Sequence, residues 1–344
     1  MTVEGARGLC GEARGCHHGQ MEPLPQHWTT AEEHVQAPDG RRYALRVWGW
    51  SARSMAEAAD VARDRAAELV ERLRQGGPLR RDSYYPRLPL REEVLTEIRA
   101  ADGTLVAAIT RNRYGAQVLN TDRLLIADVD SPEGERGTRR AARRQRAGGD
   151  SGGGGLGRLV GRLLGRSGPA EHMFDPPDGS ASGALPEDGS DEQPTTPELT
   201  RIDAFAQTHP ELGVHVYRTA AGYRVLITGA DAPPDSEQAA AIMRELASDP
   251  VYVTLCATHR TYRARLTPKP WRVGIPALTA RWPWRDTRTA DRASRWLSRY
   301  TEACAGSIVC QKVRDARRAA RPEEALVLDA HDRAVLGAPG APLA

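Results

Sequence analysis

At 344 residues the chain is long enough for one large domain or two small ones. Its hydrophobic share of 40% and aromatic share of 5% fall short of a typical globular chain, so part of the sequence is expected not to fold. A net charge of +3 excludes a polycation, no apolar run is long enough to span a bilayer, and five scattered cysteines exclude a disulfide framework, so a reducing cytoplasmic setting without membrane contact is expected.

Residues 1–36 lack apolar periodicity and are expected to be a disordered tail. An N-terminal α+β part is expected over 37–133. The turn Pro38-Asp39-Gly40 leads into a strand over Tyr43–Trp50, and Ser51 or Ser54 then caps a helix to Arg74. Gln75-Gly76-Gly77-Pro78 stops that helix. A short helix over Glu92–Arg99 and strands over Leu105–Arg111 and Ala116–Leu119 follow. Leu124 to Asp130 is an apolar strand ending in two carboxylates, closed by Ser131-Pro132 because proline cannot continue a ladder.

From 134 to 196 the composition turns to Arg and Gly, then to Asp, Glu, Pro, Gly and Ser, which predicts a disordered insertion. Order is expected again over 197–272. A helix over Glu198–His209 is followed by a hairpin of Val214–Thr219 and Gly222–Thr228, a helix over Ser236–Ala247, and a strand over Val251–Cys256. A helical region over 273–325 and a tail over 326–344 complete the chain. With the insertion set aside, the order from Leu124 is strand, helix, strand, strand, helix, strand. The fold class predicted is α+β: a ferredoxin/RRM-like βαββαβ core with an N-terminal β-α element, the disordered insertion and a C-terminal helical cap.

Strand alternation places Asp128 and Asp130 on the face of Ile126, and Arg224 on the face of Leu226 and Thr228. First and third strands are neighbours in this fold, so the three charged residues are expected together on one open face. Two carboxylates at i and i+2 do not both stay ionised cheaply without a cation between them, and Mg²⁺ or Mn²⁺ with oxygen ligands suits that need. The plainer alternative is that both acids end a strand and pair with arginines.

The strand Asp128-Val129-Asp130-Ser131-Pro132, a helix, and then Leu212 to Ile227 around Thr219-Ala220-Ala221-Gly222-Tyr223-Arg224 resemble the archaeo-eukaryotic primase superfamily. The resemblance implies a primase-like nucleotidyltransferase or metal-dependent nucleotide-binding protein. Asp128 and Asp130 would be the catalytic pair on Mg²⁺ or Mn²⁺, and Arg218, Thr219, Gly222 and Arg224 would contact nucleotide phosphates. Tyr262 to Arg272 is similar to a further stretch of some members, which implies phosphate contacts for Arg263, Arg265 and Lys269. Two positions depart from the pattern: Arg224 stands where the family carries histidine, and the last expected strand carries no acid. The partners implied are nucleotides and single-stranded DNA or RNA. The alternative is a non-catalytic, RRM-like single-strand binder whose sheet face presents Tyr217, Tyr252, Arg224, Arg263 and Arg265.

Overall fold

The structure, a computed structural model, describes residues 21–77, 89–132, 196–338 and 340–344. Strands β1 (His27–Gln36) and β2 (Arg42–Ser51) form an antiparallel hairpin, registered from His27↔Ser51 to Gln36↔Arg42. The expected tail is therefore wrong from His27 onward. The polar run of β1 becomes a strand because β2 pairs with all of it, while Trp28 and Val35 are buried; residues 1–20 lie outside the described residues. Helix α1 (Met55–Arg74) starts as expected at Ser54, whose side chain accepts from Glu57 N at 3.1 Å. It buries Ala58, Ala62, Ala66, Val70 and Leu73. Gly49 permits its close approach to β2: a Cβ there would lie 2.2 Å from the Ala58 carbonyl oxygen.

Two four-stranded antiparallel sheets follow. One has the order β3-β4-β5-β9, built from Glu93–Arg99, Leu105–Arg111, Gln117–Thr121 and Tyr262–Arg265. The other has the order β10-β7-β8-β6, built from Cys310–Arg314, Gly213–Thr219, Gly222–Thr228 and Leu125–Asp130. Helices α2 (Pro197–Thr208), α3 (Glu237–Glu245), α4 (Pro250–His259), α5 (Thr287–Cys304) and α6 (Pro322–Val335) complete the described elements. The largest buried cluster joins both sheets, with Leu119, Ile126, Val225, Leu226, Ile202 and Met243 at 0% exposure.

The α+β class is observed, with three local corrections. Glu93–Arg99 is an edge strand rather than a helix. Pairing with β4 overrides its helix-favouring glutamates, with register shifts between Val94/Thr96 and Ile98/Arg99. Val251–Cys256 lies in helix α4 rather than a strand. Asp249 caps it by accepting from Val251 N at 2.9 Å, Pro250 occupies the first turn, and Arg260 closes it in the left-handed region at φ 52°. The expected C-terminal tail contains most of α6, which buries Val327, His331 and Val335. The expected insertion over 134–196 lies outside the described residues apart from Thr196, the α2 cap, which accepts from Leu199 N at 3.2 Å.

Candidate functional site

β6 is paired with β8 along one edge, in the register Asp128↔Arg224 and Asp130↔Gly222. Its other edge pairs with no strand among the described residues. Here α4 and the turn before it supply the missing partners. Ser248 Oγ donates to Asp128 O at 2.8 Å, Asp249 N donates to the same oxygen at 3.0 Å, and Tyr252 OH donates to Ile126 O at 3.0 Å. Tyr252 OH also lies 3.1 Å from Arg263 O, so one hydroxyl bridges the edges of both sheets. This satisfies backbone groups that would otherwise be unpaired, and it fixes where the Asp128 carboxylate emerges.

Cross-strand partners share a face, so Asp128, Arg224 and Tyr217 line up across β6, β8 and β7. The expected juxtaposition of Asp128 and Arg224 is present, but the face is open only at the β6 end. Helix α6 covers the rest. Arg224 is 2% exposed; its Nη1 donates to Arg265 O at 2.9 Å and to His331 Nε2 at 3.2 Å. Because Nε2 accepts that bond, the neutral ring carries its proton on Nδ1, which donates to Asp332 Oδ1 at 3.0 Å. Asp332 also accepts from Tyr217 OH at 2.7 Å and pairs with Lys312 Nζ at 2.8 Å. Burial pushes His331 down to about 4, and Arg224 adds to that against the opposing pull of Asp332. Tyr217 is 0% exposed and Tyr252 is tied to both sheets, so neither offers a stacking surface.

The segment after β9 brings cations to the carboxylates. Burial lowers Arg265, reinforced by Arg224 and opposed by Asp128. Burial brings Lys269 down to about 8, with Arg265 and Arg272 adding to the shift and Asp128 and Asp130 opposing it. Arg272 is lowered to about 10 by burial and by Arg265, again against both acids. Lys269 precedes and Arg272 lies within a 3₁₀ turn over Pro270–Val273, whose three-residue repeat sets them side by side. Tyr300 OH to Thr267 Oγ1 at 2.8 Å, and Gln117 N to the same oxygen at 2.9 Å, anchor the segment to α5 and β5.

Four of the expected residues therefore converge: Asp128, Asp130, Arg265 and Lys269. Arg224 is internal to the network beneath them. Arg263 is held by Glu92 at 2.8 Å. Arg218 pairs across β8 with Tyr223 and lies on the opposite face. Thr219 and Gly222 shape the hairpin turn: Ala221 N donates to Thr219 Oγ1 at 3.2 Å, and a Cβ on Gly222 would lie 2.1 Å from Val129 O. Arg272 was not singled out from the sequence, although its i+3 spacing from Lys269 across Pro270 was the available signal. His331, Asp332 and Lys312 carried none, because nothing local ties α6 to β8.

Asp128 acts electrostatically on Arg265, Lys269 and Arg272, and Asp130 on Lys269 and Arg272. Among the described residues no group of three or more His, Cys, Asp or Glu side chains converges, so Asp128 and Asp130 are an incomplete cation site on their own. Their donor chemistry fits Mg²⁺ or Mn²⁺ where a polyanionic ligand supplies the remaining oxygens. Comparison of the chain with known protein families, curated proteins and solved structures finds no match.

Proposed function

We propose that this centre binds the phosphates of a nucleotide together with a divalent cation, as a divergent primase-like protein would. The observation that carries the reading is the placement of Arg265, Lys269 and Arg272 within electrostatic reach of the Asp128 and Asp130 end of β6, cations beside paired oxygen donors. Arg265, Lys269 and Arg272 hold phosphate oxygens, and Asp128 and Asp130 hold the ion. A divalent ion there would offset phosphate charge and polarise a phosphoryl oxygen. Arg224 acts one layer down: it fixes the Arg265 backbone through a 2.9 Å bond. The run β6-α2-β7-β8-α3, with sheet order β7-β8-β6, supports a ferredoxin-like lineage in which α4 has taken the place of the fourth strand. Nucleotidyl transfer at this centre would proceed without the family's histidine and third acid, so binding is the primary activity proposed.

Calorimetric titration with ATP, with and without Mn²⁺, tests this. Lys269→Gln is expected to weaken binding about 10-fold, the loss of one charge-assisted contact. Asp128→Asn with Asp130→Asn should abolish the Mn²⁺ dependence. Phosphate binding needs Lys269 protonated, and its value near 8 makes affinity fall as pH rises through that region. Lys269→Arg should flatten that profile. Parent-like binding by all three variants would overturn the reading.

A further inference from the structure

The β4–β5 turn and the segment before α5 form a small, open surface cleft away from the Asp128 centre. Its walls include Arg91, Arg111, Arg113, Arg281, Trp282 and Trp284, and among the described residues no acid lines it. Leu278 N donates to Tyr114 O at 3.2 Å and ties the two walls together. Glu93 pairs with Arg111 at 2.9 Å, and the side chains of Arg91, Arg113 and Arg281 are exposed. Guanidinium groups already sit over rings here: Arg91 lies 4.4 Å from the Trp48 centroid and Arg113 lies 4.6 Å from that of Tyr114.

Helix α5 begins just beyond Trp284 and extends the positive surface. Arg288, Arg292, Arg295 and Arg299 recur at helical spacing and are all exposed. They border the buried stripe of Thr289, Ala293, Trp296 and Tyr300 by one residue, about 100° around the helix. A merely solvated face normally interleaves its charges. Helix α1 does so, with the ion pairs Arg53–Glu57 and Arg63–Asp60, whereas among the described residues no ion pair reaches this arginine stripe. A chain of ring contacts also links the cleft to the Asp128 centre. Lys269 Nζ lies 5.8 Å from the Trp271 centroid, Trp271 stands edge-on to Tyr114 at 5.4 Å, and Tyr114 carries Arg113.

We infer that this surface binds single-stranded nucleic acid, with bases against Trp282 and Trp284 and phosphates on Arg113, Arg281 and the α5 arginines. Rings flanked by cations suit unpaired bases on a phosphate backbone. A duplex hides its base faces, and an acidic peptide would use the arginines but leave the tryptophans idle. The inference does not rest on the nucleotide reading, because none of the residues it sets against nucleic acid is assigned to that centre.

The test is fluorescence anisotropy of a dye-labelled oligo(dT) of about 16 nucleotides against the full chain over a range of salt. The parent should bind, and its affinity should fall as salt rises. Arg113→Glu with Arg281→Glu should weaken binding at least 10-fold. Arg295→Glu with Arg299→Glu should also weaken it and reduce the log–log salt slope by about 1.4, two single-strand phosphate contacts. Both double variants should melt as the parent does, and ATP titration of the Arg113/Arg281 variant should match the parent, which separates this surface from the Asp128 centre. Salt-insensitive or absent oligonucleotide binding by the parent overturns the inference, as does parent-like binding by both variants. Displacement of the oligonucleotide by poly-glutamate at equal charge also overturns it and assigns the surface to an acidic peptide.

Discussion

His331 makes the buried network sensitive to acid. Its folded value near 4 lies below the ordinary 6.5, because burial resists the charged ring. The unfolded chain therefore takes up a proton between about 6.5 and 4 that the folded protein refuses, and stability falls as pH drops through that window. The full effect is on the order of 3 kcal/mol, reached near pH 4. Asp332 is lowered too, down to about 2, against burial, by its bonds to His331, Lys312 and Tyr217, so its stabilising contribution is present above about 4 and is lost only below it. The two windows barely overlap. His331→Gln should flatten the melting-temperature profile between pH 6.5 and 4 and leave the decline below pH 4 in place. An unchanged slope above pH 4 would mean that His331 does not govern it.

At the scale of elements, the clearest lesson is α4. Val251-Tyr252-Val253-Thr254 favours a strand by residue type, yet its capping residues Asp249 and Pro250 favour a helix start, and the site it fills decides the outcome. As a helix it can satisfy the edges of β6 and β9 together through one hydroxyl. Tyr252→Phe removes that bridge to Ile126 O and Arg263 O and should cost about 1–2 kcal/mol in chemical denaturation. No change in stability would show that the bridge is idle. Other elements were legible for local reasons. The alanine stripe and serine cap of α1, the β7–β8 hairpin and the apolar run of β6 each carry their own signal. Elements fixed by distant partners did not: β1 and β3 are polar strands that pairing alone secures, and α6 is anchored through His331 to Arg224, far away in sequence. The same division explains the site. Asp128, Asp130 and Arg224 follow from alternation, whereas the burial of Arg224 follows only from α6.

Across the whole molecule, the long excursion of sequence between Pro132 and Thr196 lies outside the described residues. The two ends are close, because Thr196 Oγ1 donates to Tyr223 OH at 3.2 Å and Tyr223 is the cross-strand partner of Val129. A short link can span that gap. Replacing residues 135–194 with a brief Gly/Ser linker should leave the melting temperature within about 2 °C of the parent, since that composition offers little apolar area to offset ordering. A large drop would show that the segment contributes to the packed structure.

Each four-stranded sheet is assembled from both sides of that excursion. β6 belongs to the first part of the chain but pairs with β8 from the second, and β9 from the second part completes the sheet begun by β3, β4 and β5. During synthesis β6 must therefore wait while residues 131–221 are made, and the outer edge of β5 waits longer, until β9 begins at Tyr262. At usual elongation rates that delay is on the order of five to twenty seconds. Newly made β6 and the outer edge of β5 are unpaired for all of it, a template for neighbouring nascent chains. Yield in the cell is thus expected to depend on translation speed across the excursion and on chaperone supply, more than on the stability of the finished fold.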